Sequence, residues 1–200
     1  MPAIQTKQRD DSPYEITVRP VLLLLVGASG CGKRTFYENH LKTAFPKVLK
    51  ASTSPLEQAE TDQERKRLLK AGESFVYQDV TFDLQIIRKA KSAGYEVKAV
   101  YVATEDPTLN LGRIIIRINN GGPFAPISRI PQDYTHGLKQ LSEIKKLAND
   151  LILFDNTPHG RGVRLIAHFQ ETELVKLART IPKWAQKAVG KGFNTSLKPS

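Results

Sequence analysis

Residues 20–35 read Pro-Val-Leu-Leu-Leu-Leu-Val-Gly-Ala-Ser-Gly-Cys-Gly-Lys-Arg-Thr, so that a continuous apolar run leads directly into a glycine-rich turn. A run without polar alternation is typical of a strand that is buried on both faces of a parallel sheet. The turn from Gly27 to Lys33 fits the phosphate-binding pattern G-x-x-x-x-G-K, the Walker A motif, and a helix is predicted to follow over about 33–44. This strand–loop–helix order predicts a P-loop protein that binds the phosphates of a nucleotide.

The physical chemistry of the loop explains the residue types in it. Glycines let the backbone curl so that successive N–H groups point at phosphate oxygens, and the helix that follows presents the positive end of its dipole. A lysine supplies a full positive charge for the terminal phosphates. A tight turn that uses glycine for geometry alone is the alternative, and it leaves the lysine unexplained. The candidate nucleotide-binding residues are Gly27, Ala28, Ser29, Gly30, Cys31, Gly32, Lys33, Arg34 and Thr35.

The phosphate-binding pattern does not account for Arg34 and Cys31. Arg34 stands where a hydroxyl usually contacts Mg²⁺, and Thr35 comes one position later. We still expect ATP and Mg²⁺ to bind, with Mg²⁺ held through water by Thr35 or another group, because this ion dehydrates reluctantly. We expect Cys31 to be a small residue that fills space in the loop. The alternative is a redox switch, because the end of the following helix can lower the pKa of its thiol.

Predicted strands and helices alternate along the rest of the chain. Strands are predicted near 47–50, 74–78, 95–103 and 151–154, and residues 163–170 are predicted to be a strand or one arm of a hairpin. Helices are predicted over 54–72, 80–93, 106–120, 131–149 and 182–189. This alternation predicts an α/β protein with a three-layer P-loop kinase fold, in which a mainly parallel sheet has helices on both faces. We expect a polar N-terminal arm over 1–18, one domain over 19–189 with a lid-like helical region at 106–149, and a flexible basic tail over 190–200.

Composition limits the classes of partner and compartment. The 200 residues include 30 Lys and Arg against 20 Asp and Glu, a net charge of +10 that favours anionic partners such as nucleotides. A single cysteine excludes an internal disulfide framework and a cysteine-rich zinc site, so we expect a reducing, cytoplasmic setting. The longest apolar run is too short to cross a bilayer. No nucleic-acid-binding motif is present, and only the net charge keeps nucleic acid open as a partner.

Arg113 and Arg117 form a second candidate site. They are four residues apart on a predicted helix that ends at Gly121-Gly122, so both project from one face. Two such arginines can clamp a phosphoryl group as charge builds on it during transfer. The alternative is a solvated basic stripe, which is the commoner situation when the pair is considered alone. The isoleucines over 114–118 are expected to be mostly buried against the sheet.

Five further segments carry a resemblance to a known family. They are residues 72–79 (Gly-Glu-Ser-Phe-Val-Tyr-Gln-Asp), 90–102 (Ala-Lys-Ser-Ala-Gly-Tyr-Glu-Val-Lys-Ala-Val-Tyr-Val), 111–122 (Leu-Gly-Arg-Ile-Ile-Ile-Arg-Ile-Asn-Asn-Gly-Gly), 154–157 (Phe-Asp-Asn-Thr) and 181–184 (Ile-Pro-Lys-Trp). With the loop, their order resembles the zeta toxin family of P-loop kinases over roughly residues 20–186.

The resemblance implies an activity and a set of residues. Members of this family transfer the γ-phosphoryl of ATP to a hydroxyl of a small substrate, a nucleotide sugar in the best-known toxins, and an antitoxin protein neutralises them. The resemblance makes Lys33, Arg113 and Arg117 the phosphate-handling catalytic set. It also predicts a small-molecule acceptor with a hydroxyl and a possible antitoxin partner.

The sequence departs from the family at its acceptor site. Residues 51–54 (Ala-Ser-Thr-Ser) lack the expected aspartate, Pro123 replaces a histidine, and Gln78 stands where a glutamate is expected. Asp79 follows directly, so Gln78 and Asp79 are the candidate substrate-binding residues. Asp79 is the candidate to orient the hydroxyl or to hold Mg²⁺ through water. We therefore predict an ATP-dependent small-molecule kinase, with a nucleotide-binding protein of little or no kinase activity, acting through a protein or nucleic-acid partner, as the alternative.

Overall fold

The computed structural model describes residues 19–43, 48–50, 55–157 and 162–190. The predicted N-terminal arm, residues 51–54 and residues 191–200 of the predicted tail lie outside this part of the chain.

A mixed sheet forms the centre of the described structure. Its seven strands are β1 (Val21–Val26), β2 (Val48–Lys50), β3 (Phe75–Asp79), β4 (Glu96–Ala103), β5 (Asp150–Asp155), β6 (Arg164–Gln170) and β7 (Glu173–Leu177), in the spatial order β2-β3-β1-β4-β5-β6-β7. The pairs from β2 to β5 are parallel, and β6 and β7 are added antiparallel. The predicted α/β fold with a mainly parallel sheet is confirmed.

Helices cover both faces of this sheet. They are α1 (Lys33–Phe36, continued by a π-helical turn over Tyr37–Leu41), α2 (Pro55–Ala71), α3 (Gln85–Ser92), α4 (Pro107–Asn119), α5 (Ile130–Leu147) and α6 (Lys183–Val189). The larger core joins α2, α3, α5 and α6 to one face of the sheet. The smaller core joins α1 and its π-helical turn to the other face. The result is the predicted three-layer arrangement.

Strand β1 is buried on both faces, as its composition requires. Leu22 and Leu24 belong to the larger core and Leu23 and Leu25 to the smaller one, and none is more than 2% exposed. Burying a leucine side chain contributes about 1.5–3 kcal/mol, so these four residues anchor the strand that carries the loop.

Strand β7 was not predicted from the sequence. It pairs with β6 across a tight turn in which Glu171 and Thr172 both have positive φ, at 45° and 75°. Such turns usually contain Asn or Gly, and neither occurs here. The local signal for this hairpin is therefore absent.

The burial predicted for 114–118 is wrong for most of these residues. Ile114 is buried, but Ile115 and Ile116 are 41% and 62% exposed. Helix α4 contacts α5 and the loop after β1 instead of lying flat on the sheet. Consecutive side chains point in different directions around a helix. A helix that packs on one side therefore buries only one of three consecutive residues, here Ile114.

Candidate active site

The loop after β1 has backbone conformations that require glycine. Gly30 and Gly32 have φ values of 79° and 99°, in the left-handed region. A Cβ on Gly30 would lie 2.4 Å from the carbonyl oxygen of Asn110 in α4. A Cβ on Gly32 would lie 2.2 Å from Nδ2 of Asn156, which follows β5. The two glycines therefore allow both the curl of the loop and the close approach of its neighbours.

Lys33 is the first residue of α1 and is held against the loop. Its side chain is buried, and Nζ donates hydrogen bonds to the carbonyl oxygens of Gly27, at 2.5 Å, and Ala28, at 3.1 Å. A buried ammonium needs such acceptors because burial without a partner is strongly unfavourable. The arrangement places a full positive charge beside the N-terminus of α1.

The side chain of Cys31 points from the loop into the smaller core. It is fully buried, and a Cβ on Gly27 would lie 2.7 Å from its Sγ. Burial raises the pKa of the thiol above its ordinary value, although the nearby Lys33 and Arg113 charges oppose the shift. A buried, protonated thiol fits the interpretation of Cys31 as a filler residue better than that of a redox switch.

The two predicted arginines of α4 occupy different surroundings. Arg113 donates from Nη2 to the carbonyl oxygen of Asn156 at 2.8 Å and from Nη1 to that of Cys31 at 3.4 Å. Arg117 is exposed and donates to the carbonyl oxygen of Pro123 at 3.2 Å. Within the described residues, no hydrogen bond joins Arg117 to the loop. The structure thus brings Arg113 to the loop and leaves Arg117 one helical turn away.

Asp79 lies at the carboxyl end of β3, directly beside the start of the loop. In the parallel pairing of β1 with β3, Val26 is opposite Asp79. The hydroxyl of Tyr77 donates to its Oδ2 at 3.1 Å, and the Val80 N–H donates to its Oδ1 at 2.6 Å. Burial raises the pKa of the Asp79 carboxyl, while these hydrogen bonds and the charges of Lys33 and Arg65 partly oppose the shift.

A cavity of about 690 Å³ opens beside Asp79, between α2, α3 and α5. Its wall carries Arg65, whose guanidinium lies 4.1 Å from the centre of the Tyr77 ring and pairs with Asp62. Among the described residues, Nη1 of Arg65 has no hydrogen-bond partner. Asp83, Lys89 and His136 also line this space. The cavity is therefore rich in charge, which suits a polar small molecule.

Gln78 does not line this cavity. It lies between Tyr77 and Asp79 on β3, and successive side chains of a strand point to opposite faces. Its Oε1 is buried with no hydrogen-bond partner in the described part of the chain. The structure thus separates the two predicted substrate-binding residues.

The segment between β3 and α3 is not helical, although helix was predicted from residue 80. Gln140 of α5 holds it, with Oε1 accepting from the Phe82 N–H at 3.1 Å and Nε2 donating to the Phe82 carbonyl at 2.9 Å. The Asp83 carboxylate then accepts from the Gln85 N–H at 3.0 Å, at the start of α3. These bonds fix the irregular segment over residues 80–84 along the edge of the cavity, next to Asp79.

The residues that could hold a metal ion are few. Within the described ranges, no group of three or more His, Cys, Asp or Glu side chains is arranged to bind a metal. Asp155 is buried at the end of β5, where it pairs with Arg164 and accepts from Thr157. Mg²⁺ usually binds through one or two carboxylates together with substrate phosphates. The single carboxylate of Asp79, beside Lys33, fits that requirement, whereas Thr35 is exposed on α1.

The architecture has counterparts among solved structures. The crystal structure of the AvrRxo1-ORF1:-ORF2 complex matches with a TM-score of 0.60 and 15% identity, over 80% of this chain and 61% of the other. A structure of this complex with ATP matches with a TM-score of 0.58 and 14% identity. The PezAT toxin–antitoxin system of Streptococcus pneumoniae matches with a TM-score of 0.55 and 16% identity, over 75% of this chain and 72% of the other.

The chain shares the fold of these proteins. The fold expected from the resemblance is thereby confirmed, and the chain spans about three fifths of the matched AvrRxo1 chain. No protein-family profile and no curated protein sequence matches the chain. None of the helices in the described ranges is long and apolar enough to cross a membrane.

Proposed function

We propose that the protein is an ATP-dependent phosphotransferase, which transfers the γ-phosphoryl group of ATP to a hydroxyl of a small molecule. The observation that carries this proposal is the position of Asp79. Its carboxyl lies within electrostatic reach of Lys33 and also lines the 690 Å³ cavity. A carboxyl group that lies between the phosphate loop and the cavity can hold an acceptor hydroxyl in line with a phosphate bound at the loop.

Each charged residue has its own role in this proposal. Lys33 and Arg113 bind the terminal phosphates and stabilise the charge that develops on the transferred group. Arg117 also binds the phosphates, once its hydrogen bond to the Pro123 carbonyl oxygen is broken. Asp79 accepts a hydrogen bond from the acceptor hydroxyl and takes its proton. A Mg²⁺ ion bound with the phosphates would supply further charge neutralisation, and Asp79 would hold it through water.

The cavity indicates the kind of acceptor. Arg65 and Lys89 offer positive charge, and Asp83 offers a carboxylate. These groups suit a hydroxylated molecule that carries charge. A nucleotide sugar, the acceptor that the zeta-toxin resemblance implies, is therefore the first class to test.

The test is incubation of the protein with MgATP and a panel of nucleotide sugars, nucleosides and simple sugars, with the products identified by mass. The expected product is an acceptor heavier by one phosphoryl group, formed by the wild type and greatly reduced in Asp79→Asn. Hydrolysis of ATP without any phosphorylated acceptor would contradict the transferase assignment.

A second candidate is a nucleotide-binding protein with little or no kinase activity that acts through a partner. The observation in its favour is the exposed apolar surface on and after α4, where Ile116 is 62% and Phe124 is 80% exposed. Exposed apolar side chains that form one patch are typical of protein interaction sites. An antitoxin-like protein would fit, since the PezAT match is a toxin–antitoxin system. Tight ATP binding without product for every acceptor would favour this candidate.

A further inference from the structure

Asn156 makes a short connection between the loop after β1 and the end of β5. Its Nδ2 donates a hydrogen bond to the Cys31 carbonyl oxygen at 2.8 Å, across 125 positions of sequence. Its own carbonyl oxygen accepts from Nη2 of Arg113 at 2.8 Å. One residue therefore contacts both the phosphate loop and the arginine that we assign to the phosphates.

The hydrogen bond to Cys31 controls the direction of a backbone N–H group. The described peptide bonds are trans, so the Cys31 C=O and the Gly32 N–H point in opposite directions. When Asn156 holds the carbonyl oxygen, the Gly32 N–H must point away from Asn156. Because an N–H that faces a phosphate attracts it and a carbonyl oxygen repels it, the orientation of this peptide matters for nucleotide binding.

The loop and α1 restrain the groups on either side of this peptide: the Cys31 N–H donates to the Ala28 carbonyl oxygen at 3.2 Å, and the Gly32 carbonyl oxygen accepts from the Phe36 N–H at 2.9 Å. Gly30 and Gly32 flank Cys31, and glycine rotates more freely than any other residue. A clamp from outside the loop is therefore useful, and the geometry allows one. The space that a Cβ on Gly32 would fill is occupied by Nδ2 of Asn156. The absence of a side chain at residue 32 is what lets the amide reach the carbonyl.

The backbone of Asn156 is itself well anchored. Its N–H donates to the Ala103 carbonyl oxygen at 2.7 Å. Asp155, on one side, pairs with Arg164, and Thr157, on the other side, accepts a hydrogen bond from the Glu105 N–H at 2.8 Å. A clamp on such a rigid support can hold a flexible loop in one orientation.

We propose that Asn156 is a positioning residue, which fixes the Cys31–Gly32 peptide so that the Gly32 N–H faces the nucleotide phosphates. The proposal rests on nucleotide binding at the loop, which is part of the proposed function, and does not depend on the acceptor. Asparagine suits this role because it supplies a neutral donor. An aspartate of the same shape would face the Cys31 carbonyl oxygen with a second acceptor and add negative charge near the phosphates.

The test uses Asn156→Asp and Asn156→Ala, with Asn119→Asp as the matched control. Asn119 is exposed at the end of α4, so its substitution makes the same chemical change away from the loop. Thermal unfolding establishes that each variant is folded. The affinity for MgADP is measured by calorimetry, and the amide resonance of Gly32 is followed in protein labelled with ¹⁵N-glycine.

We expect MgADP to shift the Gly32 amide resonance strongly in the wild type and in Asn119→Asp. In both Asn156 variants this shift should be much smaller at saturation, and the affinity should fall about 10- to 100-fold, as for loss of a hydrogen bond to a charged group. An unchanged Gly32 shift and affinity in the folded Asn156 variants would overturn the proposal while leaving the proposed function intact. Absence of MgADP binding by the wild type would overturn both.

Discussion

At the scale of single residues, two partly or fully buried charges define the candidate site. Lys33 is held by two carbonyl oxygens of the loop, and Asp79 is held by the Tyr77 hydroxyl and the Val80 N–H. Each charge has partners in the protein that keep it in place. A nucleotide has to compete with the loop carbonyls for the Lys33 ammonium, and an acceptor hydroxyl has to share the Asp79 carboxylate.

Lys33→Ala should abolish or strongly weaken ATP binding, because it removes the full charge at the start of α1. The chain should still fold, since no side chain of the hydrophobic core is lost. Calorimetry with ATP and circular dichroism measure the two properties. Lys42→Ala is the control, because Lys42 is exposed and pairs with Glu38 at 2.7 Å, within α1 and its π-helical turn. Undiminished ATP binding in Lys33→Ala would show that the loop is not the phosphate site.

Asp79→Asn should lower the turnover number by about 10²–10⁴-fold while ATP binding persists, because the substitution keeps the shape and removes the base. Steady-state kinetics with the identified acceptor checks this. Asp83→Asn is the matched control, because Asp83 lines the same cavity but does not follow directly on β3 beside the phosphate loop. An equal loss in both variants would mean that general charge in the cavity matters, and not a specific base.

The raised pKa of Asp79 also predicts a pH dependence of stability. The folded chain binds this proton more tightly than the unfolded chain, whose ordinary value is 3.8. The contribution of Asp79 to the free energy of unfolding therefore falls as pH rises from 3.8 through the folded pKa. At neutral pH, Asp79→Asn should be at least as stable as the wild type, and this advantage should shrink in acid. Thermal unfolding across this pH range tests it, and a variant that is less stable at neutral pH would contradict it.

At the scale of elements, the contact between α4 and the loop after β1 is the least expected feature. The backbone of α4 approaches Gly30 so closely that a side chain there would strike the Asn110 carbonyl. Arg113, one turn later, reaches the Cys31 carbonyl. The helix that carries the arginines is therefore already docked on the loop through its backbone and one side chain.

Two glycine substitutions should have opposite effects. Gly30→Ala should destabilise the protein by more than about 1 kcal/mol and weaken ATP binding, because of its left-handed φ and its contact with α4. Gly112→Ala, inside α4 with open space around it, should stabilise by about 0.5–1 kcal/mol. Chemical denaturation gives both values. Tolerance of Gly30→Ala would show that α4 does not need its docked position.

Two isoleucines of α4 should respond differently to truncation. Ile114→Ala should cost about 2–5 kcal/mol, because Ile114 is 1% exposed and its loss leaves a cavity. Ile116→Ala should change stability by no more than about 0.5 kcal/mol, because Ile116 is 62% exposed. Denaturation midpoints distinguish the two, and similar losses at both positions would mean that Ile116 is covered in solution.

At the scale of the whole molecule, the candidate site gathers where parallel strands end. The loop after β1, Asp79 at the end of β3 and Asn156 after β5 lie at the same edge of the sheet. Ligands of open α/β sheets bind at this edge. The loop is packed against both α4 and the end of β5, so a nucleotide bound there should stabilise the whole domain against unfolding.

MgATP should therefore raise the melting temperature of the folded domain. At a concentration 100 times Kd, a ligand adds about 2.7 kcal/mol, which corresponds to about 5–10 °C for a chain of this size. Differential scanning fluorimetry measures the shift, with Lys33→Ala as the control that should show none. The same shift in both proteins would place the nucleotide elsewhere.

Much of the fold and the centre of the site could be predicted from local sequence. The apolar run over 21–26 and the glycine spacing after it specify a buried strand and a phosphate loop, because those properties depend on neighbouring residues alone. The alternation of elements gave the α/β class, and the order of motifs pointed to Asp79 and Arg113. In the structure, the charge of Lys33 acts on the Asp79 carboxyl, and Arg113 contacts the Cys31 carbonyl oxygen of the loop.

Other features depended on the tertiary structure. Asn156 lies 125 positions from the carbonyl that it holds, and no local pattern records which residues a fold brings together. Arg65 belongs to the site because α2 packs over Tyr77, and Gln78 does not line the cavity because a strand alternates its faces. Ile116 is exposed because α4 packs on its neighbours through another side of the helix. Local sequence thus specified the elements and their chemistry, whereas long-range packing decided which of these residues meet.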